Sequence, residues 1–453
     1  MSEHRSIHMS ECRRFHMSER RSFHMSEHRK LENNMTSKQK LKAAINYQHG
    51  PIPVDLGATS VTGMHCETVA AVRGLLGLAK KAVKVIEPYQ MLGEIDDELV
   101  DALGIDVLPL WDERTLPGFR LRDFKEWTTP WGQDVLVPGE FNTKTDDKGN
   151  TYLFPQGDTS VGPSLVMPAF GRFFDAIDRQ KPYDCDSDDL RLEDNIEEFK
   201  PIDDMTLSAL GRKANGLANT GMGVVGGFGG AAFGDIALVP AIGLTDPKGI
   251  RGVADWYMLL ASDPGFVLQI FDCQLEVVLS NLKRIAAVVG DVPDILYTCG
   301  TDFGTQTGTF CSIDTFKKMY KPYYIKVNKW IHENTSWKTF KHCCGAVDTF
   351  IPDMIDAGFD VLNPVQWTAS GMDRAELKRK YKGRIVFWGG GVNTQHTLPF
   401  GTAEEVYDEA LECCRIFGEG GGYVFNAIHN IQAKVPPENV VAMFKAVQDY
   451  NKG

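Results

Sequence analysis

The chain has 453 residues, a formal net charge of −12, 43% hydrophobic and 24% charged residues. Its length allows one barrel with insertions or two to three domains, and its composition is that of a globular protein with a sizeable core. The acidic balance argues against nucleic acid as the main partner, because a phosphate backbone needs basic surface, and we see no apolar run long enough to cross a bilayer.

The first 34 residues form a repetitive leader. Eight-residue units of the MSEHRSIH type begin at Met1, Met9, Met17 and Met25. This period matches no solenoid or propeller unit, and the stretch lacks the apolar segment of a signal peptide. We predict that residues 1–34 are disordered and that Met35 begins the natural protein.

Globular sequence begins near Thr36. We predict a helix over 38–47, a strand over 53–60 and a helix over 67–78. In residues 111–206 aromatic residues alternate with charged residues, Pro and Gly, and the turn DDKGN at 146–150 indicates a hairpin. We interpret 111–206 as a β-rich insertion or cap that ends in an acidic linker over 184–198.

From residue 207 the chain alternates strand, loop and helix. The predicted strands cover 222–230, 294–298, 338–341, 360–364, 385–388 and 423–426. The predicted helices cover 263–289, 312–334 with a kink at Pro322, 347–357, 375–382, a segment that starts at a capping box at Thr402, and 436–450. Short continuous apolar strands are typical of parallel sheets buried on both faces. We therefore predict an α/β fold for residues 35–453, a (β/α)8 TIM-type barrel with a β-rich insertion.

The loops after these strands carry the unusual polar residues, and a barrel of this type places its active site there. The set is Asp302, Gln306, His342, Cys344, Gln366, Asn393, Asn426 and His429. Asp302 suits an acid, a base or a clamp for a substrate N–H, although a turn-capping role is equally compatible with its position. The motif Gly221-x-Gly223-x-x-Gly226 is weak support for nucleotide binding, because polar sequence precedes it and more glycine follows.

His342 and Cys344 have the spacing of metal ligands. Residues two apart on an extended segment point the same way, and imidazole and thiolate bind zinc well. A third ligand must come from another loop, and His429 after the last strand is the best candidate. The alternative is that Cys343 and Cys344 are small buried residues and His342 is only hydrogen-bonded. The ten cysteines include no CxxC pair, which indicates reduced thiols and a cytoplasmic location.

Several segments together resemble the uroporphyrinogen decarboxylase superfamily in order and spacing, over roughly residues 36–450. They are GFGGAAFGDIALVPAIGL, TDFGTQTGTFCSIDTFKKMYKPYY, FKHCCGAV, FDVLNPVQ, FWGGGVNTQHTLPFGTAEEV and PPENVVAMFKAV. Within the superfamily, this chain is more similar to the corrinoid-linked zinc methyltransferases. Those enzymes carry His-x-Cys-Gly after a strand, as at His342, Cys344 and Gly345. Their further cysteine falls about where this chain has His429.

The resemblance implies an enzyme that moves a methyl group from a small methylated donor to a corrinoid protein in one-carbon metabolism. Zinc would be held by His342, Cys344 and His429 and would polarise the heteroatom that bears the methyl group. The expected catalytic residues are Asp302, His342, Gln366 and Asn426. The expected cofactor contacts are Gly389, Gly390 and Asn393.

Two alternatives stay open. A true uroporphyrinogen decarboxylase holds its substrate's carboxylates with an arginine-rich loop after the first strand. Here that place contains DLGATSVTGMHCET, with no arginine before Arg73. A decarboxylase acting on an acidic tetrapyrrole would therefore need Arg120, Arg122 and Arg172 from the insertion. The third possibility is a corrinoid- or tetrapyrrole-binding protein without catalytic activity.

Overall fold

The computed structural model describes residues 35–184 and 189–453. The predicted disordered leader, 1–34, and residues 185–188 of the predicted acidic linker lie outside the described residues. Helices and strands are numbered in chain order within the described ranges. The helices are α1 (Ser37–Ile45), α2 (Cys66–Leu75), α3 (Asp97–Leu103), α4 (Asp204–Leu217), α5 (Val253–Ser262), α6 (Pro264–Val289), α7 (Ile313–Thr315), α8 (Lys321–Asn334), α9 (Ile351–Asp356), α10 (Arg374–Tyr381), α11 (Thr397–Phe400), α12 (Ala403–Gly418) and α13 (Pro437–Lys452).

The strands fall into one large sheet and two small ones. They are β1 (Val83–Glu87), β2 (Leu92–Gly93), β3 (Val107–Trp111), β4 (Lys125–Thr128), β5 (Asp134–Val137), β6 (Thr143–Thr145), β7 (Thr151–Leu153), β8 (Leu165–Met167), β9 (Asp175–Ala176), β10 (Gly223–Gly227), β11 (Ile295–Cys299), β12 (Lys338–His342), β13 (Val361–Asn363), β14 (Val386–Trp388) and β15 (Tyr423–Val424). The large sheet is parallel and has the order β15-β14-β13-β12-β11-β10-β3.

Residues 53–55 close this sheet into a barrel. On one side the backbone N–H of Asp55 donates to Phe425, and the N–H of Phe425 donates to Pro53. On the other side the N–H of Asp106 donates to Val54. The predicted strand over 53–60 is thus much shorter than expected, because the chain turns away at Gly57, whose φ is 85°. The α/β barrel prediction is confirmed, with this short segment in the eighth strand position.

Alternate strand residues fill the barrel interior, as the two-residue period of a strand requires. Helix α1 precedes the barrel strands and packs Leu41, Ala44 and Ile45 against this interior, so it closes the end opposite the strand ends. The buried interior residues are Leu41, Ala44, Ile45, Ala58, Val107, Val225, Ile295, Phe340, Val361, Val386, Trp388 and Val424. A second, larger cluster fills the space between the strands and the surrounding helices.

The region predicted as a β-rich insertion contains most of two small sheets, ordered β2-β1-β5-β4 and β6-β7-β8-β9. The predicted hairpin at 146–150 joins β6 to β7. The first small sheet also takes β1 and β2, which precede residue 111, so the β structure reaches back beyond the expected boundary. The domain limits themselves stay a prediction.

Helix α6 is the one described helix that is long and apolar enough, by length and composition, to cross a membrane. In the structure its apolar side, including Phe271, Val278 and Leu282, is buried in the outer core. A core helix of a folded barrel explains its composition. The eight described cysteines are free thiols, and the cytoplasmic location stays a prediction.

The helix predicted over 312–334 is irregular before Pro322 rather than at it. Ser312 caps its start through the N–H of Thr315 as expected, but residues Phe316–Tyr320 form a π turn. Pro322 then follows this π turn directly, at the start of α8. The capping box at Thr402 and Glu405 is confirmed. The helix predicted over 347–357 begins only at Ile351.

Candidate active site

The three predicted metal ligands meet at the carboxyl end of the barrel strands. Potential ligand atoms of His342, Cys344 and His429 all lie within 4.8 Å of one another. Strand β12 positions the first two: Phe340 is in the barrel interior, so His342 and Cys344, two and four residues later, face the same side. Nε2 of His342 is 3.3 Å from Sγ of Cys344. His429, in the loop after β15, brings its ring centroid to 5.4 Å from that of His342.

The hydrogen bonds of His342 suit a metal ligand. Its Nδ1 lies 2.7 Å from Oδ1 of the buried Asn363, an atom that can only accept, so Nδ1 carries the proton. This fixes the tautomer and leaves the Nε2 lone pair directed at Cys344. Such a partner on the second nitrogen is the usual support of a ligating histidine. His429 fits less well, because its Nδ1 accepts the N–H of Asn430 at 2.8 Å and the proton of the neutral ring lies on Nε2.

Burial sets the protonation of the three groups. It lowers the pKa of His342, and it lowers the pKa of His429 to about 4. Both imidazoles are therefore neutral at pH 7, the form that binds metal. Burial and the nearby Asp302 raise the pKa of the Cys344 thiol well above its ordinary value. That thiol stays protonated unless a cation binds, since a coordinated thiol is deprotonated outright.

Asp302 joins the loop after β11 to the metal-ligand loop. Its Oδ1 accepts the N–H of Cys344 at 2.5 Å and is 4.0 Å from Nε2 of His342. Its side chain is 28% exposed, so a ligand in the barrel mouth can reach it. Gln366 supports the same loop, because its Oε1 accepts the N–H of Gly345 and its Nε2 donates to Gln306.

Asn426 is buried directly after β15, and one of its atoms has no partner. Val424 lies in the barrel interior and Phe425 in the outer core, so Asn426 points into the barrel. Its Nδ2 donates to the carbonyl oxygens of Asp55 and Thr62. Its Oδ1 accepts no hydrogen bond within the described chain. A buried acceptor without a donor is costly, and a bound ligand can supply that donor.

The three residues expected to contact a cofactor are placed close to neighbouring backbone. Both glycines have positive φ, 85° at Gly389 and 79° at Gly390. A Cβ there would meet a carbonyl oxygen, that of Ala427 or of Val365, at 2.9 and 2.8 Å. Asn393 holds its own loop, since its Oδ1 accepts the N–H groups of Gln395 and His396. These contacts account for the residue types, and the cofactor role stays a prediction.

Five residues of this region were not predicted from the sequence: Asp55, Asp235, Tyr297, Lys341 and Asn363. Asn363 and Asp55 were detectable, because each is a polar residue at the end of an apolar strand, the pattern that identified His342. Lys341 was not, since its ammonium group is buried on the outer side of β12. There it donates to the carbonyls of Thr301 and His342 and lies 3.3 Å from Sγ of Cys299.

The arginines considered for an acidic substrate are all near carboxylates. Arg120 donates to Asp203, and Arg122 is 3.7 Å from the neighbouring Asp123. Arg172 donates to Glu67 and stacks on Trp131. All three arginines therefore make contacts within the chain.

Comparison with known proteins supports the barrel fold. The family model described as uroporphyrinogen decarboxylase (URO-D) matches residues 241–450. The uroporphyrinogen decarboxylase of Psychromonas ingrahamii is 33% identical over 94 residues, 21% of this chain and 25% of that protein. That of Nitrosococcus oceani is 31% identical over 100 residues, 22% of this chain and 26% of that protein. The chain thus spans about a quarter of the length of these curated relatives.

A solved structure extends the likeness to nearly the whole fold. A methyltransferase from Methanosarcina mazei matches with a TM-score of 0.51 and 15% identity, covering 92% of this chain and 99% of that one. At this identity the match shows the fold alone. The resemblance stated from the sequence motifs is confirmed at the level of the superfamily. Residues 241–450, which the uroporphyrinogen decarboxylase family model matches, carry all three candidate metal ligands.

Proposed function

We propose that the protein is a methyltransferase that moves a methyl group from a small methylated donor to a corrinoid protein, with zinc held by His342, Cys344 and His429. The observation that carries the proposal is the convergence of these three side chains within 4.8 Å at the barrel mouth. Two neutral imidazoles and a thiol suit zinc, and three protein ligands leave a fourth position for substrate. A methyltransferase from Methanosarcina mazei has the same fold, which supports methyl transfer as the reaction class.

Each nearby side chain has a distinct task in this proposal. Zinc, when bound, supplies Lewis acidity toward the heteroatom of the donor. Asn363 holds the His342 ring in its ligating tautomer. Asp302 is partly exposed beside the ligands and positions the donor or gives a proton to the leaving group. Gln366 and Asn426 orient the donor, Asn426 through its unpartnered Oδ1. The corrinoid partner is taken from the family resemblance.

Metal content tests the centre directly. Zinc should copurify with the wild-type chain at about one ion per site and be lost in His342→Ala. His332→Ala is the matched control, because His332 is an exposed histidine that bonds Asp360 on the outer face of the barrel. Residues 1–34, with their five histidines, are common to all variants, so the difference in zinc content reports this site. A zinc-free wild type, or full activity in His342→Ala, would refute the metal centre.

Methyl transfer is tested with chemically reduced cobalamin as acceptor. Methyl ethers, methyl thioethers and N-methyl compounds are supplied as donors, and formation of methylcobalamin is followed by its absorbance. Transfer from at least one donor, lost in His342→Ala, supports the proposal.

A second candidate, decarboxylation of an acidic tetrapyrrole, is favoured by the names of the curated relatives. Against it, a polycarboxylate needs free cations at the mouth, whereas the three candidate arginines are near carboxylates. Incubation with uroporphyrinogen separates the two, since its clear conversion would overturn the methyltransferase proposal.

A further inference from the structure

Two carboxylates lie on one side of the barrel mouth, beside the candidate metal ligands. Asp235 belongs to the loop after β10 and Asp302 to the loop after β11. The hydroxyl of Thr301 donates to the carbonyl of Phe233 at 3.0 Å and joins the two loops. The two carboxylates are close enough for the charge of Asp302 to raise the pKa of Asp235, which burial and this charge bring to about 6. Asp235 is therefore mostly ionised at neutral pH.

Asp235 is ionised and 91% buried, since its relative exposure is 9%. Only one of its two carboxylate oxygens accepts a hydrogen bond within the described residues. Oδ1 accepts the N–H of Ala237 at 2.9 Å. Within residues 35–184 and 189–453, Oδ2 has no hydrogen-bond donor, and no Lys or Arg lies within 4.0 Å of Asp235. The nearest candidate cation, Lys341, is committed to carbonyls on the outer side of β12, against the rings of Phe303 and Tyr324. A buried carboxylate without a cation is costly, so a cationic ligand would stabilise it.

The free oxygen of Asp235 faces the mouth together with a tyrosine hydroxyl. A Cβ built on Gly300 would lie 3.2 Å from Oδ2 of Asp235 and 2.5 Å from the hydroxyl of Tyr297. Both oxygens therefore converge on the backbone just before Asp302. Tyr297 has an inward strand position, since Ile295 lies in the barrel interior.

Aromatic rings complete this side of the mouth. Tyr257 and Phe310 stack at 5.8 Å, and Phe310 is 40% exposed. Tyr257 lies close enough to Asp235 and Asp302 for their charges to raise its pKa, after burial, to about 12. An ammonium group gains from both carboxylates and ring faces.

We propose that Asp235, with Tyr297 and Asp302, forms an ammonium-binding subsite beside the metal centre. The methyl donor is then a methyl ether or methyl thioether that carries a protonated amine at a second position. The ammonium group is held at Asp235, and the heteroatom with its methyl group reaches the metal ligands. The donor class rests on the proposed methyl-transfer function, whereas the subsite for organic ammonium ions does not.

Three probes of nearly equal size test the charge preference by calorimetry on the full chain. They are 2-(methylthio)ethylamine, which is protonated at pH 7, neutral 2-(methylthio)ethanol and anionic 3-(methylthio)propanoate. The cation should bind at least about tenfold more tightly than the neutral probe, the magnitude of one charge-assisted hydrogen bond, and the anion should bind least. Equal binding of cation and neutral probe, or no binding of the cation, would overturn the proposal.

Two variants locate the subsite. Asp235→Asn should weaken binding of the cation about tenfold or more and leave the affinity for the neutral probe unchanged. Asp147→Asn, at an exposed hairpin carboxylate, is the matched control and should keep the preference. If Asp235→Asn does not fold, Gly300→Ala replaces it, because its methyl group would displace the two converging oxygens. A variant that folds and still prefers the cation as wild type does would refute the assignment to Asp235.

Zinc content and methyl transfer are measured on the same variants. Asp235→Asn should retain zinc, because it removes no metal ligand. A cation preference that depends on Asp235 in a protein without zinc would leave the subsite standing and refute the proposed function. Methyl transfer from an uncharged donor, by a protein without a cation preference, would support the proposed function and refute the subsite.

Discussion

Replacing Asn363 with leucine tests how the structure prepares His342 to bind metal. Oδ1 of Asn363 is 2.7 Å from Nδ1 of His342 and holds the ring proton there, which keeps Nε2 free to ligate. Leucine is similar in size but cannot accept a hydrogen bond from Nδ1 of His342. Loss of such a supporting partner lowers metal affinity by about 10- to 100-fold, equivalent to about 1.4–2.7 kcal/mol of binding free energy.

The variant also affects stability, and the two effects can be separated. Nδ2 of Asn363 donates to the carbonyl of Trp388 at 3.1 Å. Leaving that buried carbonyl without a donor costs about 1–3 kcal/mol of unfolding free energy. Asn328→Leu is the matched control, because Asn328 is equally buried and donates its Nδ2 to the carbonyl of Ala357, on the helix layer.

Zinc affinity is measured by competition with a chromophoric chelator, and stability by urea unfolding of the zinc-free chain. Asn363→Leu should weaken zinc binding and stability, whereas Asn328→Leu should weaken stability alone. Zinc affinity within twofold of wild type in a folded Asn363→Leu protein would refute the reasoning. An equal loss of zinc affinity in Asn363→Leu and Asn328→Leu would refute it as well.

Three further predictions concern the same site and the stability of the barrel. His429→Cys should retain zinc and His429→Ala should lose it, measured as zinc per chain, because a thiolate replaces the less well prepared imidazole; zinc retained by His429→Ala would show that His429 is not a ligand. Lys341→Met should lower the unfolding free energy by about 2 kcal/mol or more, since it strips donors from two buried carbonyls, and should also lower zinc affinity by freeing the loop after β12. Its control, Lys378→Met, removes donors from the carbonyls of Phe417 and Gly421 away from the site, and should change stability alone. Burial raises the pKa of Glu87 from 4.5 to about 7. Between these pH values the folded state therefore holds more protons than the unfolded state. The unfolding free energy should fall by about 3 kcal/mol as the pH rises through that window. Glu87→Gln should flatten this part of the pH profile in urea unfolding, and an unchanged slope would contradict the assignment.

The sequence by itself determined the barrel class and most of its helices and strands. Continuous apolar strands alternating with amphipathic helices predicted a parallel sheet, because only buried parallel strands tolerate apolar residues on both faces. The hairpin at 146–150 and the capping box at Thr402 are local signals, and both appear where expected. Local signals failed where tertiary contacts decide the conformation, as in residues 53–60, where pairing with β15 ends at Asp55.

The candidate ligands His342 and Cys344 followed from strand alternation, which operates within one segment. Their meeting with His429 is a tertiary result, since almost ninety residues separate the two loops and only barrel closure brings them within 4.8 Å. The supporting contacts had no sequence signal of their own. Asn363 fixes the tautomer of His342, and Asp235 gains its free oxygen and its neighbour Asp302, only because parallel strands end together at one rim. Residue types and periodicity specified the scaffold, whereas distance across the barrel, burial and hydrogen-bond pairing decided which polar residues form a site.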